Sequence, residues 1–118
     1  MLTQRVAAAL GVFLLIEGAW GLVSPVVFGV LTTNLLHAVI HLALGATGLW
    51  ASRTPYARKY LLGVGGLLAV VGVLYFVPGA SDLVVSLLNV NQAVAIVNVV
   101  IGAACLAAAM MDRRLAST

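Results

Sequence analysis

The chain has 118 residues, of which 64% are hydrophobic and 8% charged, against about 45–50% and 25% in soluble domains. So little polar surface excludes a soluble fold and makes lipid the natural solvent, while the length fits one domain, residues 1–118. The net charge of +3 does not indicate nucleic acid, because the six cations stand thinly at segment ends and form no dense stripe.

The first apolar run, Val6 to Val23, is long enough to cross a bilayer. Glu17 inside it and the lack of an A-x-A site favour an uncleaved helix over a signal peptide. Ser24-Pro25 ends the run, and Val26 to Leu31 is expected as a short helix or turn lying at the interface. The second span runs over 35–51, from just after Asn34 to just after the interfacial Trp50. A polar loop, Ser52 to Lys59, leads to a glycine-rich third span over 60–77, stopped by Pro78-Gly79. Ser81-Asp82 is expected to cap a second short piece, Leu83 to Val90, before the last span over 92–111. Cys105 in that span has no CxxC partner and reads as a small core residue.

Four spans put the N-terminus, the middle loop and the C-terminus on one side. Arg5, Arg53, Arg58, Lys59, Arg113 and Arg114 all fall there, so the positive-inside rule makes that side the cytoplasm of a multi-pass membrane protein. The halves, about 1–57 and 58–114, align at an offset of 57: Ser24 with Ser81, Asn34 with Asn91, Ala38 with Ala95, Gly45-Ala46 with Gly102-Ala103. The expected architecture is therefore all-α: a four-transmembrane-helix bundle of two parallel helix-pair repeats with short interfacial helices on the outer side. Small residues at helical spacing, Ala7 and Gly11, Gly45 and Gly48, Gly65 and Ala69, Ala103 and Ala107, suit close helix contact in lipid.

The second span carries both histidines, His37 and His41, one turn apart on one face. Glu17 is the only acid within a span, costly to insert and so expected to face the bundle. It lies about six residues from the outer end of its helix and His41 about seven from the outer start of the next, which brings them to similar depth. The same count sets Trp20 level with His37. Asn98, the repeat mate of His41, joins them, with Tyr75, Asn34 and Asn91 at the rim. The expected intramembrane polar cluster is thus Glu17, His37, His41, Asn98 and Tyr75. Four chemistries compete for it: an interhelical hydrogen-bond network, a Glu–His proton or ion pathway, a ligand or quinone-like pocket, and a haem or divalent-metal site at His37/His41. The network is preferred. Metal has only three plausible ligands, and the second half supplies no histidine for haem. No Ser-His-Asp order, Walker motif or paired catalytic carboxylates occur, so no catalytic residue, metal or cofactor is assigned. Gly63-Val-Gly-Gly66 lies inside a span with no strand before it and is no nucleotide loop.

Through Asn34-Leu-Leu-His37, His41-Leu-Ala-Leu-Gly45 and Gly48-Leu49, the sequence resembles a family of small four-helix bacterial membrane proteins of unknown function, known mainly from actinobacteria and related groups. Where that family often has a second Asn-x-x-His in the last helix, this chain reads Asn91-Gln-Ala-Val94. The resemblance implies a fold and no activity. The expected role is non-enzymatic: a structural or accessory subunit packed in the bilayer against other membrane proteins or copies of itself. The alternative is a small proton-conducting, ion-conducting or ligand-binding protein using Glu17, His37 and His41.

Overall fold

A computed structural model describes residues 2–116, with the side chains of 2–111. Among the described residues five helices carry the fold: α1 (Leu2–Val23), α2 (Leu35–Ala51), α3 (Ala57–Leu74), α4 (Ala80–Leu88) and α5 (Gln92–Ala116). Three are long and apolar enough to cross a membrane: α1, α3 and the Gln92–Met111 stretch of α5. The fourth apolar helix, α2, is shorter. Arg113 and Arg114 continue the α5 backbone, but their side chains lie outside the described residues.

Helix α1 packs along α2, and α3 along α5; contacts between these two pairs are sparser. Each helix buries one stripe. In α1 it is Thr3, Ala7, Leu10, Gly11, Leu14, Glu17 and Gly18, the three-and-four spacing of a bundle seam. In α3 the same positions recur 54 residues on: Ala57, Leu61, Val64, Gly65, Leu68 and Gly72. The α2 stripe of His37, Ala38, His41, Gly45, Gly48 and Ala51 recurs 57 residues on in α5, at Val94, Ala95, Asn98, Gly102, Cys105 and Ala108.

Glycine sets the closeness of each pair. A Cβ on Gly11 would stand 2.9 Å from the Gly45 carbonyl oxygen, and one on Gly102 would stand 2.6 Å from that of Gly65. Backbone therefore touches backbone at both crossings, the packing available to helices in lipid. The expected contact face of α5 is corrected here: Ala103 and Ala107 are exposed, and Gly102, Cys105, Ala108 and Ala109 are the buried ones.

The two expected interfacial helices come out differently. The second exists as α4, begun at Gly79 (φ 87°) without a side-chain cap from Ser81 or Asp82, and ended at Asn89 (φ 52°) in the left-handed conformation asparagine tolerates. The first is no helix. Val26–Val27 pairs antiparallel with Leu31–Thr32, and Val30 N–H donates to the Val27 carbonyl at 3.2 Å across Phe28 and Gly29. Both turn residues have positive φ, 54° and 75°, as a tight primed hairpin turn requires. The β-branched residues around it suit strand rather than helix. Phe28 is held in that strained conformation by stacking on Phe13 (6.0 Å) and by Trp20 (5.0 Å).

Span limits also shift. Helix α3 runs over 57–74 rather than 60–77. Arg58 is long enough to sit in the first turn and donate from Nε to the Ala109 carbonyl at 3.0 Å. At the other end, the chain turns at Tyr75 to Gly79, ahead of α4. Helix α1 begins earlier than expected, at Leu2, and α5 continues beyond Met111 to Ala116.

Candidate functional site

The hairpin end of the molecule is closed by two asparagines used alike. Asn34 caps α2, its Oδ1 accepting from His37 N–H at 2.9 Å, and its Nδ2 donates to the Leu87 carbonyl of α4 at 2.8 Å. Asn91 accepts from Val94 N–H at 2.9 Å and donates to the Val30 carbonyl beside the hairpin at 2.9 Å. A cap side chain satisfies one of the orphan N–H groups of a helix start; here the same amide also reaches across to the other half. Thr32 donates to the Asn89 carbonyl at 2.5 Å, and Asn89 Nδ2 to the Thr33 carbonyl at 2.8 Å.

Below these caps lie the buried polar side chains. Glu17, His37, His41 and Asn98 are each less than 9% exposed. His41 Nδ1 stands 3.8 Å from Glu17 Oε2, in contact but too long for a hydrogen bond. Helix α1 and helix α2 meet at this point. His37 turns its Nδ1 the other way, to the Leu88 carbonyl at 3.0 Å. A carbonyl only accepts, so that nitrogen carries the proton and Nε2 is left as an acceptor. The two imidazoles meet edge to face with centroids 4.2 Å apart.

Asn98 differs from the other three: 6% exposed, it has neither a hydrogen bond nor an ion-pair contact among the described residues. It lines, with His37 and His41, a cavity of about 90 Å³. Six aliphatic side chains complete the wall: Ile40 and Leu44 of α2, Leu67, Leu68 and Val71 of α3, and Leu88 of α4. Leu67 is 46% exposed, so the cavity reaches the outer face between α2 and α3. Among the described residues no side-chain nitrogen or oxygen is both sealed from open space and unpartnered. The free histidine Nε2 atoms and the Asn98 amide therefore each border open space.

Tyr75 is not in this group. Its ring meets Phe76 at 5.1 Å and packs against the apolar cluster of Val27, Leu31, Val84 and Val94. Trp20, level with His37 by residue count, turns onto Phe28 instead. Asn34 and Asn91 act as caps at the hairpin end. No group of three His, Cys, Asp or Glu side chains among the described residues is arranged to hold a metal ion.

Tyr60 was not anticipated. Its hydroxyl donates to the Leu44 carbonyl at 2.7 Å, tying α3 to α2, and its ring fills the space over Gly48. A tyrosine at the start of an apolar run, opposite a glycine, is the only trace of this in the sequence.

The family model described as a domain of unknown function, DUF4383, matches residues 4–111. No curated protein and no solved structure matches the chain.

Proposed function

From a chain that belongs to the DUF4383 family of unknown function, we propose a non-enzymatic integral membrane protein that crosses the bilayer four times and serves as a structural or accessory subunit. Its partners are other membrane proteins or further copies of itself. The observation that carries this reading is where the polar groups are used. Glu17 faces His41, His37 bonds to Leu88, Tyr60 bonds to Leu44, and Asn34 and Asn91 reach across the two halves. Each joins one element to another, the use expected of polar side chains in lipid. Outward, the helices present a largely apolar surface, including Val12, Ile16, Val39, Val70 and Val100.

The four-span, duplicated architecture is part of the proposal. The buried stripes that recur at 54 and 57 residues support it, as do hydrogen bonds that recur as mates: Asn34 to Leu87, and Asn91 to Val30, each 57 residues from its counterpart. The two offsets differ because the second connection, Tyr75 to Asn91, is longer than the first, Ser24 to Asn34. With Arg5, Arg53, Arg58 and Lys59 together at the opposite end from the hairpin, the basic end is cytoplasmic and the hairpin end external.

Purification in mild detergent, followed by cross-linking in native membranes, tests the assembly role. The expected result is a stable homo-oligomer or a stoichiometric partner; a strictly monomeric protein with no partner overturns it. A proton pathway is the second reading, favoured by the contiguous Glu17, His41 and His37. It predicts pH-dependent flux in proteoliposomes that is lost in Glu17→Gln and His41→Ala. Inward of Glu17 the buried face of α1 is Leu14, Gly11, Leu10 and Ala7, which offers no relay, and absence of flux in the unaltered protein removes this reading.

A further inference from the structure

We propose that the cavity between α2, α3 and α5 is a binding site for a hydroxyl group carried on an apolar body dissolved in the bilayer. The inference goes beyond the assembly role and holds with or without it.

Three features converge. The first is Asn98, a buried amide with no partner among the described residues, on the cavity wall. An amide left unpaired in an apolar setting is destabilising, so the site is stabilised by any group that completes it. The duplication proposed above explains how the amide came to stand alone. The mate of His41 is Asn98, and the mate of Glu17, at 54 residues, is Val71. Where the first half sets an acid against an imidazole, the second sets valine against an amide. Val71 and Asn98 both line the cavity.

The second feature is the direction of the histidines. His37 spends its Nδ1–H on the Leu88 carbonyl, so its Nε2 is an acceptor. With the Asn98 amide, which both donates and accepts, the wall requires a partner that can donate. A hydroxyl fits, because it donates to an imidazole nitrogen while accepting from Asn98 Nδ2. A ketone or ester carbonyl lacks the proton.

The third feature is the apolar remainder. About 90 Å³ is less than an engineered cavity of about 150 Å³ that takes benzene, so it suits a head group and the start of its chain. Half-exposed Leu67 stands at the mouth, where the rest of an amphiphile would continue into lipid.

Protein with ¹⁵N-labelled histidine in phosphatidylcholine nanodiscs should be titrated with decanol and with methyl decyl ether. Decanol is expected to move a histidine Nε2 resonance saturably, and the methyl ether, matched in body but without the proton, is not. Asn98→Leu should weaken decanol binding about threefold to tenfold, one hydrogen bond's worth, and Val71→Phe, which fills the cavity, should abolish saturation. Equal shifts with the ether, a linear response that reports bilayer partition only, or unaltered saturation in both folded variants overturns the proposal. Should the variants fail to fold, the comparison of decanol with its ether on the unaltered protein still decides it.

Discussion

Gly45→Ala tests whether backbone contact between α1 and α2 holds the first helix pair. A Cβ there would stand 2.8 Å from the Gly11 carbonyl oxygen and 2.8 Å from the Leu15 backbone nitrogen, where ordinary contact begins at 3.4 Å. The helices must part by about 0.6 Å, the difference 3.4 − 2.8. A gap of that size forfeits roughly a quarter to a half of each atom pair's attraction, so about twenty pairs worth ~0.15 kcal/mol each lose about 1 kcal/mol. Backbone adjustment brings the expected loss to about 1–3 kcal/mol. Gly66→Ala is the control, with nothing within 4 Å of the added methyl. It should be neutral or stabilising by up to about 1 kcal/mol. Unfolding of both variants in mixed micelles with rising SDS, followed by circular dichroism and tryptophan fluorescence, gives the comparison. If the two variants unfold within about 0.5 kcal/mol of each other, contact at Gly45 does not hold the pair.

Gly102→Ala should match Gly45→Ala in the same assay, since its Cβ would stand 2.6 Å from the Gly65 carbonyl oxygen; a neutral result would show the second pair is held otherwise. Asn34→Ala and Asn91→Ala each remove a cap and a bond between halves, and should each cost about 1–3 kcal/mol. If either is silent, the asparagine at that position is not a fastening. Tyr60→Phe keeps the ring over Gly48 and removes only the bond to Leu44, so a loss near 0.6 kcal/mol is expected, and a loss above about 2 kcal/mol would show that the hydroxyl does more. Phe28→Ala removes the ring that stacks on Phe13 and Trp20, while leaving a residue that dislikes positive φ. It should raise hydrogen exchange at Val30 N–H well above that of α1, and unchanged exchange would mean the hairpin stands without the ring.

The apolar runs were legible because lipid demands them, and α2 was found to the residue because Asn34 marks its start and the polar loop from Ser52 its end. The start of α3 was missed for a physical reason. Arg58 and Lys59 look like loop, yet long basic side chains let a helix begin while their charges stay at the surface. The hairpin was hidden by Phe28, an aromatic at a turn position that glycine or asparagine usually signals.

In the site, depth along a helix could be counted and direction around it could not. Counting from the short connection brought Glu17 level with His41, and they stand 3.8 Å apart. The same counting put Tyr75 at the rim of the cluster, though its ring turns to Phe76 and the apolar residues beside the hairpin. Direction comes from the buried stripe. A single offset of 57 would make Leu74 the mate of Glu17, whereas the stripes of α1 and α3 coincide at 54 and give Val71. That three-residue difference turns the mate from a residue beside the hairpin cluster into a wall of the cavity. It also accounts for Asn98: an amide in the place of an imidazole, facing a valine in the place of an acid. On the proposed duplication, the two helix pairs differ at two facing positions. One pair closes its polar contact within the protein, and the other leaves an amide open to the space between the halves.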